Sequence, residues 1–328
     1  MSTRIHWIDN LRGFFIVLLV IFHWFYFTPI NINEYTYNLL SDFIRFFDPY
    51  RMEVLFFISG LIVYKGVKKP FDVYISGKIK FIIYPFFIWS LIYYFVNFLA
   101  LDKKELSEWA LDMLFGQIGV TWFLYALFIF FLIIRAVRKI NSFFVLFISI
   151  TLCIIFKCID LPKFMDVGFV SFADFFYYFT FFYLADQLSL YGINISEKSK
   201  KKGFFILSII CLLIVSFFNF YLNLYKTNPA YLPFVLFSIP LFVLIFSCFL
   251  NKKDSFLNHF GVNSMVYYLS HLAFLLLSLK FIKMNNQSIL FPITMLFISF
   301  LGPYILIKLK EKINFINILF EPPIIKGK

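Results

Sequence analysis

Ten apolar stretches follow one another along the chain, each close to the ~20 residues that an α-helix needs to cross a ~30 Å hydrocarbon core. Hydrophobic residues make up 62% of the sequence and charged residues 15%, against ~45–50% and ~25% in soluble domains. Because no soluble fold could bury so much apolar surface, we expect lipid to solvate it. The stretches lie near residues 9–28, 52–66, 80–99, 120–139, 143–159, 172–190, 204–224, 229–250, 262–282 and 288–309.

This pattern predicts an all-α fold, a polytopic membrane helix bundle of about ten transmembrane helices in which residues 1–328 form a single domain. The first stretch ends in bulky aromatic residues without a small-residue cleavage site, so we expect a retained helix rather than a signal peptide. The cysteines lie in apolar stretches and form no C-x-x-C pair, which favours buried apolar side chains over metal or redox roles. They are Cys153, Cys158, Cys211 and Cys248.

The net charge of +12 would suggest a nucleic-acid partner in a soluble protein. With the N-terminus placed in the cytoplasm, however, the segments on the cytoplasmic side hold 20 Lys and Arg residues and those on the far side hold 9. Such an excess is typical of cytoplasmic loops and predicts that both termini are cytoplasmic. The basic charge therefore indicates membrane topology, and we expect membrane lipids but no nucleic acid among the partners.

The polar segments are too short to form a soluble domain. Two of them contain amphipathic patterns that predict interfacial helices, Tyr37 to Phe47 and Leu106 to Leu114. Neither is large enough to do chemistry alone, so an active site must be built mainly from the membrane helices.

Ionisable residues inside apolar helices are costly in lipid and are therefore candidate functional residues. In the first stretch Arg12 and His23 are eleven residues apart, almost three helical turns, so both lie on one face with a rise of about 16 Å between them. Asp9 stands one turn before Arg12 on the same stripe. The alternative is structural: Arg12 snorkels and pairs with Asp9, while His23 is an interfacial residue beside Trp24.

Other polar or small residues in the apolar stretches have either a structural or a functional interpretation. Ser59 and Gly60 favour close helix packing, Trp122 could equally be an aromatic anchor at the membrane surface, and Asp186 could lie harmlessly at that surface. An imidazole about ten residues into a helix, as at His271, needs a polar partner in lipid, whereas His6 and His259 are expected to be solvated outside the spans. The candidate substrate-binding residues are Arg51, Glu53, Trp122, Asp174, Asn263 and His271.

The order of these motifs resembles the integral-membrane acyltransferase family 3. It is carried by Asp9-Asn-Leu-Arg12-Gly, His23, the segment Arg51 to Gly60, Trp122-Phe-Leu and Tyr268-Leu-Ser-His271. The stretch Ser41 to Gly60 and the C-terminal Ile316 to Pro323 are most similar to the glucan biosynthesis protein C branch, which succinylates periplasmic glucans. The resemblance implies transfer of acyl groups from cytoplasmic acyl-CoA to glycans or lipids on the far side of the membrane.

The sequence departs from the family at several positions. Many members have an Arg-x-x-Arg pair leading into the third span, whereas this chain has Lys78 and Lys80. Lysine keeps the charge but not the bidentate geometry of arginine, and the resemblance makes these two residues the candidate acyl-CoA contacts. Glu53 occupies a position not associated with acid in the family, and Ala185 stands where a glycine is usual.

Together these observations predict a membrane O-acyltransferase that moves an acetyl or succinyl group from acyl-CoA to a hydroxyl of an extracytoplasmic glycan or lipid-linked sugar. His23 would be the general base, Arg12 would bind the donor with Asp9 orienting it, and His271 would hold the acceptor or transition state. We expect acyl-CoA as a substrate without a permanently bound cofactor, no metal, and a bacterial inner membrane as the location. The alternatives are a polytopic transporter or flippase and an accessory subunit without chemistry.

Overall fold

The structure is a computed structural model that describes residues 5–101, 109–110, 112–113, 118–159, 171–222, 228–282 and 288–323. Within these residues the chain is helical and contains no β-strand, which confirms the all-α fold class. Its α-helices are α1 (His6–Phe27), α2 (Glu34–Phe47), α3 (Arg51–Val67), α4 (Phe71–Lys78), α5 (Tyr84–Leu101), α6 (Trp122–Ala136), α7 (Ser142–Cys158), α8 (Phe172–Leu190), α9 (Ile195–Ser199), α10 (Lys202–Tyr221), α11 (Leu232–Phe249), α12 (Phe256–Val262), α13 (Ser264–Phe281), α14 (Leu290–Lys312) and α15 (Asn314–Asn317).

Over its described residues, each of the ten apolar stretches coincides with a helix or with a helix and its terminal turns. Seven helical segments of the described chain are long and apolar enough to cross a membrane. They confirm a polytopic membrane bundle. The total of ten spans and the cytoplasmic position of both termini stay predictions. The three stretches outside those seven correspond to α3, α7 and α8, of which α3 and α7 have 17 residues each.

The third apolar stretch begins earlier than the sequence predicts. The sequence places this stretch at residues 80–99, but α4 starts at Phe71, directly after Pro70. Proline is common at helix starts because its missing N–H needs no partner there. A π-helical segment, Ile79–Ile83, joins α4 to α5. Phe71 and Val73 of α4 are exposed, whereas Tyr74 is buried. The continuous helical segment therefore begins at residue 71 rather than near residue 80.

The predicted helix Tyr37 to Phe47 is confirmed within α2, which begins at Glu34. Asn33 caps its N-terminus, because the Asn33 side chain accepts a hydrogen bond from the Thr36 N–H at 2.8 Å. The ring of Tyr37 lies 5.3 Å from that of Phe25, and the ring of Phe47 lies 5.6 Å from that of Phe14. The order of these contacts shows that α2 runs antiparallel to α1 and lies alongside it. The second predicted amphipathic helix, Leu106 to Leu114, falls largely outside the described residues.

Glycines allow two pairs of helices to approach closely. A Cβ on Gly60 of α3 would lie 2.1 Å from the Phe182 carbonyl oxygen of α8, and one on Gly261 of α12 would lie 1.8 Å from the Asp9 carbonyl oxygen of α1. These contacts bring α3 against α8 and α12 against the N-terminal part of α1. The packing role predicted for Gly60 is confirmed, and Ala185 lies in the same contact.

The C-terminal segment packs on α5. Tyr84 Oη donates to the Ile318 carbonyl at 2.8 Å, and Trp89 Nε1 donates to the Leu319 carbonyl at 2.9 Å. Phe320 is buried with its ring 5.5 Å from that of Trp89. These contacts attach the short helix α15 and the turn after it to the bundle.

Candidate active site

Two histidines from opposite ends of the chain meet inside the bundle. His23 is four residues from the end of α1 and half-buried, and His271 is near the middle of α13 and 0% exposed. His271 Nε2 lies 3.0 Å from His23 Nδ1, with the ring centroids 5.0 Å apart. A hydrogen bond therefore joins the two candidate residues that the sequence placed on different helices.

Each histidine also contacts a backbone carbonyl of its own helix. His23 Nδ1 lies 3.0 Å from the Leu19 oxygen, and His271 Nδ1 lies 2.7 Å from the Tyr267 oxygen. Both carbonyls come from the residue four positions earlier, so one helical turn sets the orientation of each ring. The buried polar partner that His271 requires in an apolar surrounding is thus supplied by Tyr267 and His23.

Tyrosines from neighbouring segments hold α13 in place. Tyr93 of α5 is 1% exposed and donates its hydroxyl hydrogen to the Leu269 carbonyl at 2.9 Å. The Tyr268 hydroxyl in turn donates to the Val120 carbonyl, in the 3₁₀ turn Gly119–Thr121 before α6. Gly119 has φ of +50°, and a Cβ there would lie 3.4 Å from the Tyr93 ring. These contacts fix the turn of α13 that directly precedes His271.

Arg51 packs on the ring of Phe22, whose centroid lies 5.4 Å from that of the His23 ring. It is the first residue of α3 and is 5% exposed, and its guanidinium carbon stands 3.1 Å from the centroid of the Phe22 ring, the neighbour of His23. Arg51 Nη2 also lies 3.1 Å from Asp48 Oδ1. Stacking on an aromatic face suits the planar guanidinium. Glu53 is 1% exposed and accepts a hydrogen bond from the Met52 N–H at 3.1 Å.

Aromatic side chains link the start of α6 to α8 and α13. Trp122 packs on Tyr178 at 5.7 Å and on Phe56 at 6.2 Å, and Phe123 packs on Tyr268 at 5.3 Å between ring centroids. Trp122 is thus part of a packed aromatic cluster. The candidate site combines a histidine pair, a buried arginine and this cluster, contributed by α1, α3, α6, α8 and α13.

A family model described as an acyltransferase domain, acyltransferase 3, matches residues 5–308. The chain belongs to this acyltransferase family. No curated protein and no solved structure matches it. The matched range contains all the candidate residues, so the histidine pair lies within an acyltransferase domain. The resemblance to the glucan biosynthesis protein C branch is not confirmed.

Asp9 and Arg12 form a second group on the same helix as His23. Arg12 Nη1 lies 3.6 Å from Asp9 Oδ1, which supports the pairing expected from their spacing. Two residues of the same stripe, Ile16 and Leu19, separate this pair from His23 and are 3% and 2% exposed. The structure therefore does not bring Arg12 to His23, and the face between them is closed by packed apolar side chains.

Asp174 and Asn263 lie at helix ends. Asp174 Oδ2 accepts a hydrogen bond from the Ser171 N–H at 3.3 Å, while Ser171 Oγ accepts one from the Asp174 N–H at 3.2 Å, so the two form a capping box at the start of α8. Lys157 Nζ is 3.5 Å from Asp174 Oδ1. Asn263 stands between α12 and α13 and donates to the His259 carbonyl at 2.9 Å. The structure does not place either residue at the histidine pair, and their substrate-binding roles stay predictions.

Lys78 and Lys80 lie where α4 meets the π-helical segment. Lys78 Nζ stands 3.4 Å from the centroid of the Phe131 ring, and Lys80 Nζ stands 4.9 Å from that of Phe81. Arg135 is nearby, with Nη1 donating to the carbonyls of Val67 at 3.0 Å and Lys69 at 2.9 Å. The two lysines are half-buried against aromatic rings, on a helical surface instead of a loop.

One buried ion pair was not predicted from the sequence. Arg138, just after α6, forms a bidentate pair with Asp186 of α8, and Gln187 Nε2 donates to Asp186 Oδ2 at 3.1 Å. Asp186 is 0% exposed and has Arg138 and Gln187 as partners. The only available signal was that opposite charges stand near the ends of two apolar stretches, which does not identify the partner.

His259 also differs from the expectation of a solvated loop residue. It belongs to α12, is half-buried, and its Nε2 lies 3.3 Å from the Tyr267 hydroxyl oxygen. Burial, with a smaller effect from Lys308, lowers the pKa of His259 below its usual value. Within the described ranges, no group of three histidine, cysteine or carboxylate side chains is arranged to hold a metal ion.

Proposed function

We propose that this chain is a membrane O-acyltransferase that moves an acetyl or succinyl group from cytoplasmic acyl-CoA to a hydroxyl of an extracytoplasmic glycan or lipid-linked sugar. The observation that carries the proposal is the hydrogen bond between His23 and His271 inside a domain of the acyltransferase family. Histidine is the side chain whose unperturbed pKa best suits proton transfer near neutral pH.

In the proposed reaction the acceptor hydroxyl oxygen attacks the thioester carbonyl carbon, and His23 takes the hydroxyl proton. The tetrahedral intermediate then collapses, the carbon–sulfur bond breaks, and the protonated His23 returns its proton to the departing thiolate. The products are the acyl ester and free CoA thiol, and His23 is neutral again. General base catalysis of this kind contributes roughly 10²–10⁴-fold to a rate.

Arg51 is the cation that we place nearest to the reacting atoms. Its guanidinium is buried against Phe22, beside His23 in the chain. Hydrogen-bond donors in a water-poor site stabilise a developing oxyanion far more than they would in water. We assign Arg51 to the carbonyl oxygen of the thioester or to the acceptor, with Trp122 and its aromatic neighbours as the wall against which a sugar ring packs.

The donor is proposed to bind at the opposite end of α1. Arg12, oriented by Asp9, and the two lysines Lys78 and Lys80 would hold the CoA phosphates, while the pantetheine arm covers the rise of about 16 Å to His23. Because Ile16 and Leu19 are packed on that face, entry of the arm requires that α1 and its neighbours separate there. Acetyl and succinyl donors both suit this scheme, and the branch resemblance favours succinyl. We place the protein in the bacterial inner membrane.

The proposal is tested with purified protein in liposomes and acyl-CoA carrying a labelled acyl group. We expect covalent transfer of the label to an added glycan acceptor, or slow hydrolysis of the thioester without one. Movement of a glycan or lipid across the bilayer without covalent change would instead identify a transporter or flippase. Neither activity would indicate an accessory subunit. Mass spectrometry of surface glycans from cells with and without the protein then identifies the acyl group and its acceptor.

A further inference from the structure

We infer that His271 is a positioning residue that holds His23 in the tautomer with its hydrogen on Nδ1, so that Nε2 of His23 is the atom that takes the acceptor proton. This inference rests on the proposed function, because it assigns the basic atom of the same reaction. It also changes the role expected for His271, which was predicted to hold the acceptor or transition state.

The inner end of the hydrogen-bond chain is the carbonyl oxygen of Tyr267. The Tyr267 carbonyl oxygen has only lone pairs, and it lies 2.7 Å from His271 Nδ1. Nδ1 of His271 must therefore carry the hydrogen and donate. In a neutral imidazole the other nitrogen then has a lone pair and accepts, so Nε2 of His271 is an acceptor directed at His23.

The same reasoning applies to His23. Its Nδ1 lies 3.0 Å from the Leu19 carbonyl oxygen and 3.0 Å from His271 Nε2. Both neighbours are acceptors, so Nδ1 of His23 carries the hydrogen and shares it between them, a three-centre arrangement that proteins commonly use. The opposite tautomer would place the lone pair of Nδ1 against two other lone pairs. Neutral His23 therefore has its lone pair on Nε2.

Charge states support the same assignment. A protonated His271 would turn Nε2 into a donor facing the donor Nδ1 of His23, and it would bury a cation at a position that is 0% exposed. A protonated His23 is compatible with the observed contacts, because its Nδ1 keeps both acceptors and only its Nε2 gains a hydrogen. The pair thus accepts one proton while both described contacts of His23 Nδ1 are kept, and we place that proton on Nε2 of His23.

This arrangement follows the logic by which a third group orients the histidine of a catalytic triad, with a neutral imidazole in place of a carboxylate. His271 touches neither the donor nor the acceptor in this scheme, because both of its ring nitrogens are engaged by protein atoms. The expected kinetic signature is a loss in kcat with little change in the KM for acyl-CoA.

The first test is spectroscopic and does not depend on activity. Protein labelled with ¹⁵N-histidine in lipid nanodiscs has four imidazoles, and the His23 signals are those that disappear in His23→Ala. Nitrogen shifts and one-bond couplings distinguish the two neutral tautomers. We expect the Nδ1–H form at His23 in the wild type and a larger share of the Nε2–H form in His271→Leu, where the Leu19 carbonyl is the one described acceptor left to Nδ1. A wild-type His23 with its hydrogen on Nε2 overturns the inference, whether or not the protein transfers acyl groups.

The second test compares two replacements of His271. Glutamine can place a carbonyl oxygen near the position of Nε2 and accept from His23, whereas leucine cannot. We expect His271→Gln to keep kcat within about tenfold and His271→Leu to lower it by roughly 10²–10⁴-fold. His259→Gln, a half-buried histidine outside the pair, is the matched control and should leave kcat unchanged.

Three results separate the possible failures. Equal activity of the glutamine and leucine variants, both correctly folded, overturns the positioning role. If His271→Leu does not fold, the test rests on His271→Gln. An Nδ1–H tautomer at His23 together with a kcat within about tenfold of the wild type supports the inference. Loss of that tautomer or of that activity contradicts it. An inactive wild type with the Nδ1–H tautomer at His23 contradicts the proposed function while the tautomer assignment stands.

Discussion

Gly60 of α3 faces the backbone of α8 so closely that a Cβ on residue 60 would lie 2.1 Å from the Phe182 carbonyl oxygen. Gly60→Ala must therefore push the two helices apart, and overpacking of this kind costs roughly 1–3 kcal/mol. We expect a lower thermal unfolding temperature for this variant in nanodiscs.

The matched control lies in the same helix. A Cβ on Gly66 would meet its nearest atom, in the Tyr74 ring, at 3.6 Å, an ordinary contact. Gly66→Ala should unfold at or above the wild-type temperature, because alanine favours the helix relative to glycine. Equal unfolding temperatures for the two variants would contradict the close approach of α3 and α8.

His23→Ala should abolish acyl transfer and leave the protein inserted and folded, because His23 is half-buried and its ring is not part of the fully buried core. Loss of a general base predicts a fall of roughly 10²–10⁴-fold in kcat, measured by label transfer in liposomes. His259→Ala is the control for a histidine outside the pair. Near-wild-type transfer by His23→Ala would disprove the assignment of the base.

Arg12→Gln should raise the KM for acyl-CoA more than it lowers kcat, because the guanidinium is assigned to the donor phosphates and lies far from the reacting carbon. Asp9→Asn should raise the same KM by a smaller factor, since it removes only the partner that orients Arg12. Initial rates over a range of acyl-CoA concentrations measure both effects. An unchanged KM in Arg12→Gln would exclude this residue from donor binding.

Variants of the capping box can distinguish a structural role of Asp174 from a role in acceptor binding. Ser171→Ala and Asp174→Ala each remove one of its two hydrogen bonds, so each should lower the free energy of unfolding by roughly 0.5–2 kcal/mol. If Asp174 also binds the acceptor, as its position in the sequence predicts, only Asp174→Ala raises the KM for the acceptor glycan. Equal KM values in the two variants would leave Asp174 with a structural role alone.

Replacing Arg138 and replacing Asp186 should lower the stability of the protein by different amounts. Arg138→Gln leaves a carboxylate that is 0% exposed without its guanidinium, whereas Asp186→Asn leaves an arginine side chain that is 20% exposed. Arg138→Gln should therefore be the more destabilising change. A double-mutant cycle on unfolding in nanodiscs should give a coupling of roughly 0.5–3 kcal/mol. No coupling would show that the pair does not contribute to stability.

Much of the fold follows from the sequence because lipid imposes a strict requirement on it. A chain that crosses a bilayer must satisfy its backbone hydrogen bonds internally, so runs of apolar residues become helices and their limits can be read from hydropathy. α8 begins and ends at the predicted residues, 172 and 190. α4 was missed because a helix that leads into a span carries polar residues and resembles a loop.

The site could be predicted only in part. Helical spacing and the cost of burying polar groups identify His23 and His271 separately, but neither rule states which helix lies beside which. The contact between the two rings depends on the packing of α1 with α13, and the partner of Asp186 depends on α6 and α8. Pairings between distant segments are tertiary information, and a single sequence without repeats or spacing rules does not supply them.

His23 and His271 are separated by 248 positions in the chain, and this separation has a consequence for biosynthesis. The first histidine leaves the ribosome and enters the membrane long before the second has been translated. A nascent chain that already holds its proposed donor-binding charges therefore lacks the hydrogen bond proposed to orient its base. The proposed catalytic centre is completed only when α13 has been inserted, so we expect chains that end before α13 to be inactive.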